Sequence, residues 1–234
     1  MEHLPIYISA GFIFTTALSI FFIYKAAGNA KIVLLVMAGW LALQAVVSLS
    51  GFYTVTGTIP PRFVLTILPP LLFIVWLLLS RRGAAFTSSL SIKTLTLLHI
   101  IRIPVEIGLY FLAAGKVVPE LMTFGGRNFD IFSGITASLL YYFGFVKKVL
   151  PVKLILLWNF VCLALLANIV VIAILAAPFP FQQFAFDQPN IAVLYFPFVW
   201  LPSCVVPIVL YAHLASIKSL VAKRSSNTLA NRPV

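Results

Sequence analysis

Apolar residues run along the chain in seven stretches, each closed by a short polar break. A helix crossing the hydrocarbon core of a bilayer needs ~20 apolar residues, and the stretches are of that order. They cover Pro5–Tyr24, Ile32–Tyr53, Phe63–Ser80, Thr94–Gly115, Phe129–Val146, Leu154–Ala177 and Ile191–Ile217. The breaks Lys25 to Lys31, Thr56 to Arg62, Arg81 to Lys93, Lys116 to Asn128, Lys147 to Lys153 and Pro178 to Asn190 carry charge, Gly, Pro or Asn. The pattern predicts an all-α protein, a polytopic integral membrane bundle of seven transmembrane helices. Residues 1–217 form its single domain, and 218–234 a short basic cytoplasmic tail expected to be disordered, its polar end Ser225–Val234 lacking an apolar face.

The basic residues orient the bundle, because cytoplasmic loops carry the Lys/Arg excess. With the N-terminus outside and the C-terminus cytoplasmic, the inner side holds Lys25, Lys31, Arg81, Arg82, Lys93, Lys147, Lys148, Lys153, Lys218, Lys223, Arg224 and Arg232. The outer side holds only Arg62, Lys116 and Arg127. Glu2, Glu120, Asp130 and Asp187 fall outside under the same assignment. The first stretch is not preceded by a positive n-region, so it is expected to stay as a span.

Composition reinforces the class: 62% of residues are hydrophobic and 9% charged, against roughly 25% charged in soluble domains. The net charge of +11 is scattered over inner loops, which argues against nucleic acid. It points instead to attraction for anionic lipid headgroups at the cytoplasmic face. The bilayer is the first expected partner, and a bacterial plasma (inner) membrane the expected location. Cys162 and Cys204 lie inside apolar stretches and read as buried thiols.

Polar residues inside the spans carry the candidate chemistry, since an intramembrane ionisable group is costly unless paired or wetted. His99, Arg102, Glu106 and Tyr110 follow helical increments of 3, 4 and 4, which places them on one stripe of the fourth span. Arg102 and Glu106 are expected to pair. Pro104 cannot donate to the carbonyl of Ile100, so a kink is expected there. Counting ~1.5 Å per residue from the flanking lysines puts His99, Tyr141, Asn159 and His213 in one layer of the cytoplasmic half. The same count sets Gln44 and Asn168 near the depth of Glu106. Pro197, Pro202 and Pro207 should leave the carbonyls of Val193, Phe198 and Ser203 free.

In the outer loop, Arg127 and Asp130 are candidates for a gate over this cavity, beside the reading of Gly125-Gly126 as a turn and of Asn128 or Asp130 as a helix cap. His99 and His213 could clamp a haem iron or hold a metal, but no further ligand motif supports this and no cofactor is expected. The leading reading is a site for binding, transporting or sensing a small solute, ion or proton. An alternative is a membrane-embedded enzyme acting on a lipid or isoprenoid, with Glu106 or His99 as base and Arg102 as anion clamp. A structural or assembly subunit is the third reading.

Overall fold

A backbone in hydrocarbon must satisfy its own N–H and C=O groups, so apolar stretches fold as helices. The computed structural model describes residues 4–230, with side chains as far as Ala222. Glu2 and the last tail residues, 231–234, lie outside it. The helices are α1 (Ile6–Ala26), α2 (Lys31–Leu49), α3 (Val64–Leu79), α4 (Arg81–Ser89), α5 (Ile92–Leu98), α6 (Arg102–Ala114), α7 (Ile131–Leu140), α8 (Val152–Leu175) and α9 (Val206–Ala230). There is no strand among the described residues. The segment expected as a tail from Lys218 continues α9 as helix to Ala230.

Five helical segments are long and apolar enough to cross a membrane: Ile6–Ala26, Lys31–Leu49, Ile92–Ala114, Val152–Leu175 and Leu201–Ala222. The pair α3 and α4 makes a sixth if counted as one span, bent by 86° at Ser80. Ile131–Val146, where the fifth apolar stretch lies, is helical but shorter. Its last turn, Tyr141–Val146, widens into a π-helix.

The bundle is organised around the last helix. Of the apolar window in Leu201–Ala222, 61% is buried, against 11% in Lys31–Leu49. α9 packs on α8, α5, α3 and α4, while α1 packs on α2, α5 and α6. α2 therefore sits at the periphery. Two indoles attach it to the start of the last span: Trp40 Nε1 donates to the Ser203 carbonyl at 2.8 Å and Trp200 Nε1 to that of Leu41 at 3.1 Å.

The first of these bonds uses a carbonyl that proline frees. Pro207 has no N–H to offer Ser203 four residues back, and the indole of Trp40 takes that acceptor. The last stretch carries Pro197, Pro202 and Pro207 and is too long for one straight crossing. It runs through a 3₁₀ turn at Ala192–Leu194 and becomes helical only at Leu201, first as a π-helix to Val205. The expected kink ahead of Pro104 takes the form of a 3₁₀ turn, His99–Ile101, between α5 and α6.

Loops 116–130 and 178–190 fold onto one another at the end expected to be outside. The N–H groups of Ile191 and Ala192 both donate to the Val117 carbonyl, and the Gln188 side chain donates to Ala113 and Val118. Met122, Thr123, Asn128 and Asp130 are buried as a result.

Candidate functional site

α7 brings its start against the start of α6 because Gly134 has no side chain. A Cβ there would lie 2.8 Å from Ile103 Cγ1 and 3.1 Å from the Ile103 nitrogen, closer than packed atoms allow. This approach sets Asp130, the residue ahead of α7, beside Arg102. Arg102 Nη1 donates to Asp130 Oδ1 at 2.8 Å, and both side chains are almost fully buried. The guanidinium also reaches the Cys162 carbonyl on α8, at 3.3 Å from Nη1 and 3.5 Å from Nη2. One side chain thus ties α6, α7 and α8 together.

The expected Arg102–Glu106 pair is therefore corrected. Glu106 is buried on the same face of α6, but its Oε1 accepts from Asn128 Nδ2 at 2.6 Å. Asn128 donates as well to the Met122 carbonyl at 3.0 Å, and its Oδ1 accepts the Asp130 N–H at 3.0 Å. Asn128 is thus the joint between the two carboxyls. Sequence reasoning saw it as a turn or cap residue only. The available signal was its position two residues before an acid at the edge of a short apolar stretch. The gate of Arg127 and Asp130 does not form: Arg127 is exposed, while Asp130 turns inward to Arg102.

On the other side of Arg102, the histidines meet as the depth layer implied. The rings of His99 and His213 stack with centroids 3.8 Å apart and planes 17° from parallel. Trp158 meets His99 edge-on at 5.4 Å. Asn159 joins them: its Nδ2 donates to the Ile155 carbonyl at 2.8 Å, leaving Oδ1 as acceptor for His213 Nδ1 at 3.0 Å. An amide oxygen cannot donate, so His213 carries its proton on Nδ1. Ring lone pairs lie in the ring plane. Two nearly parallel, stacked imidazoles cannot both aim at an iron between them, so the pair does not fit an axial haem clamp. Among the described residues no group of three or more His, Cys, Asp or Glu is placed to hold a metal.

Four other candidates lie elsewhere. Tyr110 is exposed and stacks on Phe124. Gln44 is buried on α2, where its Oε1 accepts from the Tyr53 hydroxyl at 2.8 Å. Tyr141 is half-buried under the Lys93 ammonium. Asn168 is exposed and donates to the Arg127 carbonyl.

A cavity of about 340 Å³ opens beside the acids, walled by α3, α6, α8 and the last span. Its lining is apolar, with residues such as Phe63, Leu109, Leu166 and Leu210, except for Glu106, Asp130 and Asn190. Two buried acceptors on this wall, Glu106 Oε2 and Asn190 Oδ1, have no hydrogen-bond partner among the described residues. Asn190 Nδ2 is already spent on the Ala173 carbonyl at 3.1 Å. The charge count points the same way. One guanidinium faces two carboxyls, so the cluster becomes neutral when Glu106 holds a proton or meets a cation.

Fold and site together define a helical membrane protein with a buried polar site beside an apolar cavity. No protein family, curated protein or solved structure matches the chain.

Proposed function

We propose that the protein binds a lipophilic small molecule whose head donates hydrogen bonds or carries positive charge, and holds it for transport or sensing. The observation that carries this reading is the pair of unpartnered buried acceptors, Glu106 Oε2 and Asn190 Oδ1, on the wall of an otherwise apolar cavity. An unmade hydrogen bond on a buried group costs ~1–3 kcal/mol, which a donor-bearing head recovers. Volumes of ~300–1,000 Å³ suit small ligands, and the apolar walls suit a body that partitions into the bilayer. Binding is favoured over lipid chemistry because, of the two bases that chemistry could use, His99 does not line the cavity and Glu106 stands there without it. The protein works as seven membrane passes, N-terminus outside and C-terminus inside, in a bacterial plasma membrane.

Three probes with one tail test the reading: oleylamine, oleyl alcohol and oleic acid, bound to purified protein in detergent. The amine should bind best, the alcohol next and the acid worst. Glu106→Gln should abolish the advantage of the amine while leaving the melting temperature nearly unchanged. Oleic acid binding as tightly as oleylamine to the unaltered protein would sink the proposal.

A further inference from the structure

A second cavity, of about 550 Å³, lies between the peripheral helix α2 and the bent pair α3–α4, with the last span as its floor. Its walls are Ile32, Val36 and Trp40 on one side and Pro69, Phe73 and Trp76 on the other. The walls extend over nine and eight residues, so the groove is ~12 Å long at helical rise. The outward parts of both walls, Ile32, Val36, Phe73 and Trp76, are exposed. The polar groups at its floor are already used: Trp40 bonds Ser203, and the Tyr211 hydroxyl bonds Thr87.

One end differs. Arg82, exposed and without a side-chain ion pair among the described residues, is the only charged residue lining the groove. It sits on the first turn of α4, which turns through 86° from α3 and so lies across the bundle rather than along it. The Ser80 hydroxyl caps that turn by accepting from the Gly83 N–H at 3.0 Å. Gly83 permits the fold-back, since a Cβ there would lie 2.5 Å from the Leu77 Cα. A helix running across a spanning bundle and starting with two arginines is placed as an interfacial helix is, at headgroup level. Lys31, adjacent to the groove residue Ile32, starts α2 at the same end.

We infer that this groove holds an anionic phospholipid, one acyl chain lying between α2 and α3 and its phosphate on the Arg82 guanidinium. The apolar length suits the chain, and the guanidinium matches phosphate geometry. A zwitterionic lipid fills the same walls but brings a compensating cation to the mouth. The site is separate from the Glu106 cavity and does not depend on its ligand.

Native mass spectrometry of delipidated protein, supplied with equal amounts of phosphatidylglycerol and phosphatidylcholine of identical chains, tests the assignment. The unaltered protein should retain phosphatidylglycerol in preference. Arg82→Gln should weaken that retention roughly five-fold, the worth of one basic residue at a lipid surface. Val36→Trp, which fills the groove, should lower retention of both lipids, and Ile32→Trp repeats this test if the first variant melts early. Equal retention of both lipids by the unaltered protein would overturn the inference. So would Arg82→Gln binding like wild type, or dimers that Val36→Trp converts to monomers, which would make the occupant a second copy of the chain.

Discussion

Asp130, not Glu106, should be the energetic partner of Arg102, and a double-mutant cycle measures this directly. The ion pair is 2.8 Å long, with side chains only 3% and 7% exposed. Two unit charges ~4 Å apart attract by about 4 kcal/mol at an effective dielectric of 20. Removing one member of a buried pair costs ~3–5 kcal/mol, because the other charge is left uncompensated. Asp130→Asn should fall at about 3 kcal/mol, since the guanidinium keeps the Cys162 carbonyl and these contacts offset part of the loss. Arg102→Leu should fall nearer 4–5 kcal/mol, leaving the carboxylate only the Ser133 hydroxyl at 3.5 Å beside the general cost. The double variant should recover at least ~2 kcal/mol relative to the sum, within the range seen for contacting residues. The same cycle with Arg102→Leu and Glu106→Gln should couple by less than ~1 kcal/mol, since Glu106 bonds Asn128 and meets Arg102 only by a weaker attraction without a direct bond. The assay is reversible unfolding in mixed detergent micelles, followed by circular dichroism. A larger coupling for Glu106 than for Asp130 would refute the reasoning.

Two further outcomes are expected. His213 should resonate as the Nδ1–H tautomer in ¹⁵N-histidine spectra, and Asn159→Leu should destabilise by ~1–3 kcal/mol while shifting that signal, because it orphans the Nδ1–H; a persistent Nε2–H tautomer contradicts the assigned bond. Single cysteines replacing Lys31 and Ser88 should be shielded from impermeant thiol reagent in intact cells, while those at Arg127 and Gln183 should label; the reverse pattern contradicts the charge-based orientation.

Much of the architecture was legible because hydrophobic runs and their breaks are local properties. The helix bounds of α1, α2, α8 and the Ile92–Ala114 segment follow the apolar stretches within a few residues. The interruption ahead of Pro104 was legible too, since a missing N–H acts on the same turn that contains it. Of the layer that depth counting gave, His99, His213 and Asn159 meet, because rise per residue is fixed along each span, while Tyr141 packs against Lys93 instead. Gln44 and Asn168 take partners other than Glu106, since depth says nothing about which way a side chain points.

Pairing lay beyond any such count. Arg102 and Glu106 share a helix face, and spacing alone invites an ion pair between them. Each is instead drawn to a partner more than twenty residues away, Asp130 and Asn128. That choice was made by the close approach of α7 to α6 at Gly134 and by the outer loop folding inward. Tyr110 left the stripe for a similar reason: eight residues rotate a helix by ~80° beyond whole turns, enough to carry it off the buried face. Local chemistry thus specified which segments enter the membrane and which residues are too polar to face lipid. Only the packing of helices distant in sequence decided which of those residues meet, because burial forces each buried charge onto the nearest complementary group in space.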